Sequence, residues 1–256
     1  MAPRKRDGNE VFAVVSDVHG NRWALEAVLG DARRHGATRL LNLGDVVYGP
    51  LDPGGTAELL LALDWPALTI RGNQDRILFE PGANEQRHPS LAHTRSRIGP
   101  DAVAWLSGLP AQAREGDVLL THGTPANDEE YLLEEVTSAG VRPRPAADVA
   151  ARVGEAGASL VLCGHSHLPG AAQVPGGPLV VNPGSVGLPA YAETEPIAHT
   201  IETGSPLARY ALAQRESSGW RIAWVAVPYD WEQAALAAER NGRPDWAHAL
   251  RTGRAA

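Results

Sequence analysis

The first part of the chain alternates between short apolar runs and amphipathic segments. Apolar runs predict buried strands, and apolar residues spaced three and four apart predict helices. In chain order the predicted elements are a strand at Val11–Val15, a helix at Arg22–His35, a strand at Leu40–Leu43, a helix at Thr56–Leu63 with Thr56 as its N-cap, and a strand at Leu68–Ile70. This alternation indicates right-handed crossovers and a largely parallel sheet.

The rest of the chain continues with buried strands and further helices. The predicted elements are a helix at Asp101–Ser107, strands at Val118–Thr121, Leu160–Cys163 and Leu179–Asn182, an antiparallel pair at Tyr210–Gln214 and Arg221–Val227, and helices at Trp231–Asn241 and Asp245–Thr252. No internal repeat or Pro/Gly-rich linker interrupts the sequence. We therefore expect one domain over residues 1–256, with a core at residues 10–230 and C-terminal helices at residues 231–256.

Six of the predicted strands run directly into turns that carry a glycine beside oxygen or imidazole groups. The turns are Asp17-Val18-His19-Gly20, Gly44-Asp45, Gly72-Asn73-Gln74-Asp75, His122-Gly123, Gly164-His165-Ser166-His167 and Asn182-Pro183-Gly184-Ser185. Each turn alone is weak evidence, because Asn-Pro-Gly-Ser, for example, is a common β-turn. In open α/β sheets, however, the carboxyl ends of the strands form the ligand crevice, so we expect these turns to meet there.

The composition narrows the possible chemistry. A formal net charge of −7 makes binding to the backbone of a nucleic acid unexpected. Cys163 is the single cysteine, which excludes an internal disulfide and a cysteine-rich zinc site. The sequence has no Gly-Lys-Ser/Thr element, which excludes a P-loop. No apolar run approaches the roughly 18 residues that span a membrane, and we expect a cytoplasmic protein.

The ordered turns resemble the motifs of the calcineurin-like metallophosphoesterase family. The resemblance runs from about Val11 to Ser185, and all five family blocks occur in order. The Tyr48-Gly49-Pro50 turn and the Asn-Pro-Gly-Ser element further resemble the compact bacterial and archaeal phosphodiesterase-like branch. This resemblance implies an α/β fold, a four-layer α/β/β/α sandwich of two mixed sheets flanked by helices, with metals at the carboxyl ends of the strands.

The resemblance also implies two divalent metal ions and a set of ligands. Asp17, His19 and His167 would hold one metal, Asn73, His122 and His165 would hold the second, and Asp45 would bridge both. Manganese is the first candidate, and Fe, Zn, Co and Ni suit imidazole and carboxylate ligands as well. In such a dinuclear centre a metal-bound hydroxide attacks the phosphorus, and the cations clamp the phosphoryl oxygens.

One position departs from the family pattern. Members usually carry a histidine after the Gly-Asn pair, and this chain has Gln74, which has no proton to transfer near neutral pH. Gln74 and its neighbour Asp75 are the catalytic candidates within the motif. His93 and His199 lie outside the metal motifs, and either could replace the missing acid.

The implied activity is hydrolysis of a phosphodiester or nucleotide-like phosphoester, with a small phosphoester as substrate and no membrane partner. The oligomeric state is not predicted. Two alternatives stay open: a metal-binding regulatory or scaffold protein with weakened catalysis, and a protein Ser/Thr phosphatase. The intact ligand set argues against the first, and the absence of a large capping insertion argues by family analogy against the second.

Overall fold

The computed structural model describes residues 10–84, 86 and 88–256. The strands are β1 (Val11–Val15), β2 (Arg39–Asn42), β3 (Ala67–Thr69), β4 (Gln112–Glu115), β5 (Val118–Thr121), β6 (Glu134–Thr137), β7 (Gly140–Pro143), β8 (Leu160–Leu162), β9 (Gly170–Gln173), β10 (Leu179–Asn182), β11 (Ala190–Glu193), β12 (His199–Glu202), β13 (Ala208–Glu216) and β14 (Gly219–Val227). The helices are α1 (Arg22–Arg34), α2 (Pro53–Leu61), α3 (Asn73–Ile77), α4 (Leu91–Arg97), α5 (Pro100–Ser107), α6 (Ala146–Val153), α7 (Trp231–Arg240) and α8 (Pro244–Thr252).

Two five-stranded sheets form the centre of the fold. The first has the order β14-β13-β1-β2-β3, in which β1, β2 and β3 are parallel and the β13–β14 hairpin is antiparallel. The second has the order β4-β5-β8-β10-β9, in which β5, β8 and β10 are parallel. The six strands that precede the ligand-bearing turns are therefore the parallel strands of the two sheets, and in each sheet their carboxyl ends lie along one edge.

Apolar side chains from both sheets meet in one buried layer. Phe12 and Val14 of β1 point into this layer with Leu41 of β2, opposite Leu120 of β5 and Leu162 of β8. The alternate positions of each strand face outwards, as the two-residue period of a strand requires.

Helices cover the outward faces of both sheets. Ala13 and Val15 of β1 contact a cluster that includes residues of α1, α2 and α5. Leu119 of β5 and Val161 of β8 contact residues of α6. The predicted four-layer sandwich of two mixed sheets is confirmed. No helix within the described ranges combines the length and the apolarity that crossing a membrane requires.

The predicted strands β1, β2 and β3 are parallel, and the antiparallel β13–β14 hairpin adds to β1, which makes the first sheet mixed. One expectation from the sequence needs correction. Helix α2 begins at Pro53 and not at Thr56, because the Asp52 side chain caps it by accepting a hydrogen bond from the Gly55 amide. Proline fits the first helical position, where no amide hydrogen is needed.

Helices α7 and α8 add a fourth hydrophobic cluster next to the edge where the parallel strands end. Their alanines pack together with Leu51 and Leu188, and Trp246 of α8 is only 7% exposed. The Trp246 ring lies edge-on to His19, with 5.7 Å between the ring centroids. The C-terminal helices therefore support one of the predicted metal ligands.

We expect Leu41→Ala to lower the free energy of unfolding by about 2–5 kcal/mol, because it leaves a cavity between the two sheets. Leu41 is 0% exposed, whereas Leu61 on α2 is 46% exposed. The control Leu61→Ala should change the free energy of unfolding by no more than about 0.5 kcal/mol. Urea denaturation followed by circular dichroism measures both. Equal effects of the two substitutions would contradict the assignment of Leu41 to the inter-sheet core.

Candidate metal centre

The structure brings the predicted ligands together at the carboxyl ends of the parallel strands. Two groups have ligand atoms within 4.8 Å of one another, Asp17 with His19 and His167, and Asp45 with His122 and His165. Asn73 joins the second group, since its Oδ1 lies 3.0 Å from Nε2 of His122. These two groups coincide with the two ligand sets that the family resemblance implies.

The backbone at these ligands is unusual. Five non-glycine residues in the described part of the chain have a positive φ, between 52° and 68°. All five are predicted ligands: Asp17, His19, Asp45, His165 and His167. A left-handed backbone is costly for a residue with a side chain, and such residues cluster at functional sites. The strain in this fold is therefore concentrated where the ligands are presented.

Hydrogen bonds between the turns hold this strained backbone in place. The backbone amide of Asp17 donates to the carbonyl of Gly44 (3.0 Å), and the backbone amide of His19 donates to the carbonyl of Asp45 (2.9 Å). Gly44 itself has a φ of +98°, and a Cβ there would collide with the backbone of Gly72. The turns after β1, β2 and β3 therefore pack at distances that only glycine permits at position 44.

Backbone carbonyls orient the imidazole ligands. Nδ1 of His19 donates to Tyr48 (3.1 Å) and Nδ1 of His167 donates to Leu188 (2.7 Å). His122 uses the same arrangement, with the carbonyl of Leu43 at 2.8 Å. A carbonyl can only accept, so Nδ1 carries the hydrogen, and Nε2 of the neutral ring keeps its lone pair. Such outer hydrogen bonds are typical of metal-binding histidines.

The Nε2 lone pairs converge on a point that requires a cation. Nε2 of His19 and Nε2 of His167 are 3.1 Å apart, and in the neutral rings, whose hydrogen is on Nδ1, neither Nε2 carries a hydrogen. Oδ1 of Asp17 lies 3.5 Å from Nε2 of His167 and is buried without a hydrogen-bond partner. Buried acceptors that face each other without a donor are costly. A divalent ion that prefers nitrogen and oxygen ligands satisfies all three, so these residues fit the implied metal.

The pKa values of the histidines follow from burial and from the neighbouring charges. Burial and the adjacent His167 lower the pKa of His19 to about 4, and burial and the adjacent His122 lower that of His165 to about 4. His122 differs, because buried carboxylates, chiefly Asp45, outweigh its burial and raise its pKa to about 10. His19 and His165 are therefore neutral at pH 7, and His122 must release a proton before it can coordinate a metal.

The Asn-Pro-Gly-Ser turn after β10 braces the ligand turns and supplies no ligand. Nδ2 of Asn182 donates to the Gly164 carbonyl (2.9 Å) and to Oγ of Ser166 (3.1 Å). Oγ of Ser185 donates to the carbonyl of Asp17 at 2.8 Å. This turn therefore ties both histidines of the Gly-His-Ser-His motif to the end of β1.

Asp75 also joins the ligand turns. Its carboxylate accepts hydrogen bonds from the amides of Val46 and Gly72, both at 2.9 Å. Burial and the adjacent Asp45 raise its pKa to about 7. Asp75 is 1% exposed and connects the turns that carry Asp45 and Asn73, and its predicted catalytic role stays a prediction.

The three other catalytic candidates lie in different places. Gln74 lines the cavity over the ligands, and its side-chain Oε1 has no hydrogen-bond partner. His199 lines the same cavity. His93 is not among the described residues that line it, and its ring hydrogen-bonds to the backbone of Leu51. The position of His93 therefore argues against the predicted role as acid.

The cavity has a volume of about 710 Å³, and most of its lining residues were not identified from the sequence, among them Tyr131, Glu134 and Tyr191. The ring of Tyr131 packs on His165 with centroids 5.0 Å apart, and Tyr191 packs on His167 at 4.7 Å. Glu134, the first residue of β6, is 7% exposed. Tyr131 and Glu134 lie in a segment whose pattern predicts no element, and only the closeness of Tyr191 to the Asn-Pro-Gly-Ser turn is visible in the sequence.

We expect Asp45→Asn to weaken both metal positions together. Oδ2 of Asp45 lies 3.5 Å from Nε2 of His122, and the same carboxylate acts electrostatically on His19 in the other group. The wild-type chain should retain about two equivalents of Mn²⁺ after dialysis, and the variant less than one. Elemental analysis measures the content, with the exposed Asp64→Asn as control. Two equivalents still bound to Asp45→Asn would remove Asp45 from the bridging position.

Comparisons with known proteins agree with this geometry. Residues 11–204 match the model of the calcineurin-like phosphoesterase superfamily domain. An uncharacterized protein of Methanocaldococcus jannaschii is 26% identical in an alignment of 260 positions, gaps included, that covers 92% of this chain and 95% of that protein.

Two solved structures share the fold. A metallophosphoesterase from Sphaerobacter thermophilus superposes with a TM-score of 0.70 at 24% identity, and the match covers 94% of this chain and 98% of that chain. A candidate diadenosine tetraphosphatase superposes with a TM-score of 0.52 at 22% identity, over 89% and 96% of the two chains. The family match extends over most of the chain and contains every predicted metal ligand. The chain belongs to the calcineurin-like phosphoesterase superfamily.

Proposed function

We propose that the protein is a divalent-metal-dependent phosphoesterase that hydrolyses a small phosphodiester or nucleotide-like phosphoester. The observation that carries this proposal is the pairing of two ligand groups, Asp17-His19-His167 and Asp45-His122-His165, at one edge of the sandwich. Manganese is the first metal to test. Two divalent cations at such a centre supply Lewis acidity to a phosphoryl group and acidify the water that they bind.

The protein's own residues fix the geometry of this chemistry. The backbone carbonyls that hold His19, His122 and His167 keep their Nε2 atoms directed inwards. Asp45 accepts a hydrogen bond from the amide of Gln74 (2.9 Å), which ties the proposed bridging carboxylate to the turn that carries Asn73. A centre held by this many neighbours is preorganised, so little reorganisation is needed when a substrate binds.

The cavity over the ligands favours a small substrate. Its volume of about 710 Å³ lies within the range of about 300–1,000 Å³ that is typical of small-molecule sites. Tyr131 and Tyr191 line this cavity and pack on His165 and His167. This supports a small phosphoester over a phosphorylated protein, which would need an open surface.

Protonation of the leaving group is the step for which the motif supplies no acid. Gln74 faces the cavity and has no proton to transfer at neutral pH. His199 remains a candidate because it lines the same cavity, and its Nε2 lies 3.0 Å from the hydroxyl of Tyr131. We infer that turnover depends on leaving groups that depart without strong assistance.

With Mn²⁺ added, we expect hydrolysis of bis(p-nitrophenyl) phosphate, and we expect EDTA to abolish it. His165→Ala and His167→Ala should each lose about one equivalent of metal and lower the rate by at least about 100-fold, because each removes a ligand from one group. His248→Ala, on the exposed face of α8, is the matched control and should keep full activity. Wild-type protein that binds the metal but hydrolyses neither diesters nor monoesters would favour the regulatory or scaffold alternative.

We expect the rate to fall steeply as the pKa of the leaving group rises, with nitrophenyl esters far better substrates than alkyl esters. Gln74→His should flatten this dependence and accelerate esters of poor leaving groups by about 10-fold, since a general acid contributes at least that much. Gln233→His, at an exposed position of α7, should not change the slope. A flat dependence in the wild-type enzyme would show that another acid acts, and His199→Ala and His93→Ala would then identify it by steepening the slope.

A further inference from the structure

The wall of the cavity outside the metal ligands carries an excess of negative charge. Six glutamates line it: Glu80, Glu129, Glu130, Glu134, Glu193 and Glu195. The lining residues in the described part of the chain include three arginines and no lysine. A wall of this kind repels further phosphate groups and attracts cations.

The three arginines are already engaged with protein groups. Arg76 pairs with Asp128 at 2.9 Å and with Glu129 at 2.7 Å. Arg243 pairs with Asp245 at 2.6 Å.

Arg144 donates to the backbone carbonyls of Tyr131 (3.0 Å) and Glu134 (2.7 Å), and Glu130 lies 3.9 Å away. Arg76 and Arg243 are thus compensated by carboxylates, whereas Arg144 is tied to backbone carbonyls and its neighbour Glu130 pairs more closely with Arg152, at 2.6 Å. A polyphosphate chain would therefore find at most Arg144, among the described residues of the wall, without a close carboxylate partner.

Glu134 provides an independent sign of a ligand. Its side chain is more than nine-tenths buried, and its Oε2 has no hydrogen-bond partner although it lines the cavity. A buried carboxylate oxygen without a donor is costly, so it is usually paired with a cation or a donor group. A ligand that brings an N–H group to this oxygen would remove that cost.

The tyrosines beside Glu134 present oxygen acceptors to the same space. Nδ1 of His199 donates to the carbonyl of Ile197 (2.8 Å), so its Nε2 accepts the hydroxyl hydrogen of Tyr131 at 3.0 Å. The hydroxyl oxygens of Tyr131 and Tyr191 are 2.6 Å apart, and Tyr191 also lies within 3.3 Å of the His165 carbonyl. Both hydroxyl hydrogens thus go to protein acceptors, and lone pairs remain for a donor on the ligand.

Carboxylates line the same cavity as these aromatic rings. Glu193 follows Tyr191 by two positions on β11, so both side chains leave the same face of the strand. Glu134 lines the cavity together with Tyr131. Aromatic rings combined with carboxylates are a favourable environment for an ammonium group.

We propose that the substrate is a phosphodiester with an ammonium group on one of its alcohols, such as a 2-aminoethyl ester. The phosphate lies at the metal ligands, and the ammonium group lies between Glu134, Glu193 and the Tyr131–Tyr191 pair. This inference rests on the proposed phosphodiesterase function and specifies its substrate class. Nucleoside polyphosphates are correspondingly poor substrates.

Three p-nitrophenyl phosphodiesters that share one leaving group test this specificity with Mn²⁺ present. Their second alcohol is 2-aminoethyl, n-propyl or 2-carboxyethyl, so the terminal group is cationic, neutral or anionic at similar size. We expect kcat/KM to fall in that order, with the aminoethyl ester favoured over the propyl ester by about 10-fold at low ionic strength. The preference should shrink in about 0.5 M salt, because exposed charges are screened.

Variants test whether the preference comes from the wall of the cavity. Because each variant is compared with the wild type on the same esters, any intrinsic difference in reactivity between the esters drops out. Glu134→Gln and Glu193→Gln should each lower the aminoethyl-to-propyl ratio of kcat/KM by about threefold or more, through a higher KM for the aminoethyl ester. Glu193 is exposed, so its variant should fold even if Glu134→Gln does not. Glu26→Gln, on the exposed face of α1, is the matched control and should keep the wild-type ratio.

The outcomes separate the two proposals. Hydrolysis of all three esters with equal kcat/KM, or a ratio that neither glutamate variant changes, overturns the inference about the ammonium group and leaves the phosphodiesterase function standing. If none of the three esters is hydrolysed and the simple nitrophenyl diester is also inert, the proposed function is wrong and this inference falls with it.

Discussion

The convergence of unprotonated imidazole nitrogens and a bare carboxylate oxygen is the constraint on which this structure depends. Nε2 of His19 and Nε2 of His167 are 3.1 Å apart, and Oδ1 of Asp17 is buried beside them without a donor. Without a cation this arrangement is repulsive and poorly solvated. The fold must therefore hold the ligands against their own repulsion, and the turns around them are organised to do so.

Three features of the fold hold the ligand side chains close together. The parallel strands end at one edge, so ligands distant in sequence start from neighbouring positions. Hydrogen bonds between turns keep five ligands in the left-handed backbone region. Asp75 and Asn182, which bind no metal themselves, fasten the turns to one another through backbone groups. Substitution of Asp75 or Asn182 should therefore weaken metal binding indirectly, by displacing the turns that carry the ligands.

The buried strands and the turns that follow them could be predicted from local signals, and the sandwich and the ligand groups from the resemblance to the family. A buried strand such as Val118–Thr121 is recognised from its own apolar residues, and the following His122 from its place after the strand. The hairpins β6–β7 and β11–β12 gave no such signal, since their strands are four residues long and largely half-exposed or exposed. The contacts of Asp75 could not be predicted, because a carboxylate that accepts hydrogen bonds from backbone amides looks the same in a sequence as one that faces a substrate.

The same reasoning explains why the wall of the cavity was not predicted. Loops and short hairpins bring together Glu134, Tyr131 and Tyr191. Their roles depend on contacts in the folded chain and not on a spacing along the sequence. The proposed metal centre would supply positive charge for one phosphate, whereas the wall supplies carboxylates and oxygen acceptors. A molecule that is anionic at one end and cationic at the other matches both. Affinity for the phosphate comes from a centre common to the family, and selectivity would therefore come from residues outside its motifs.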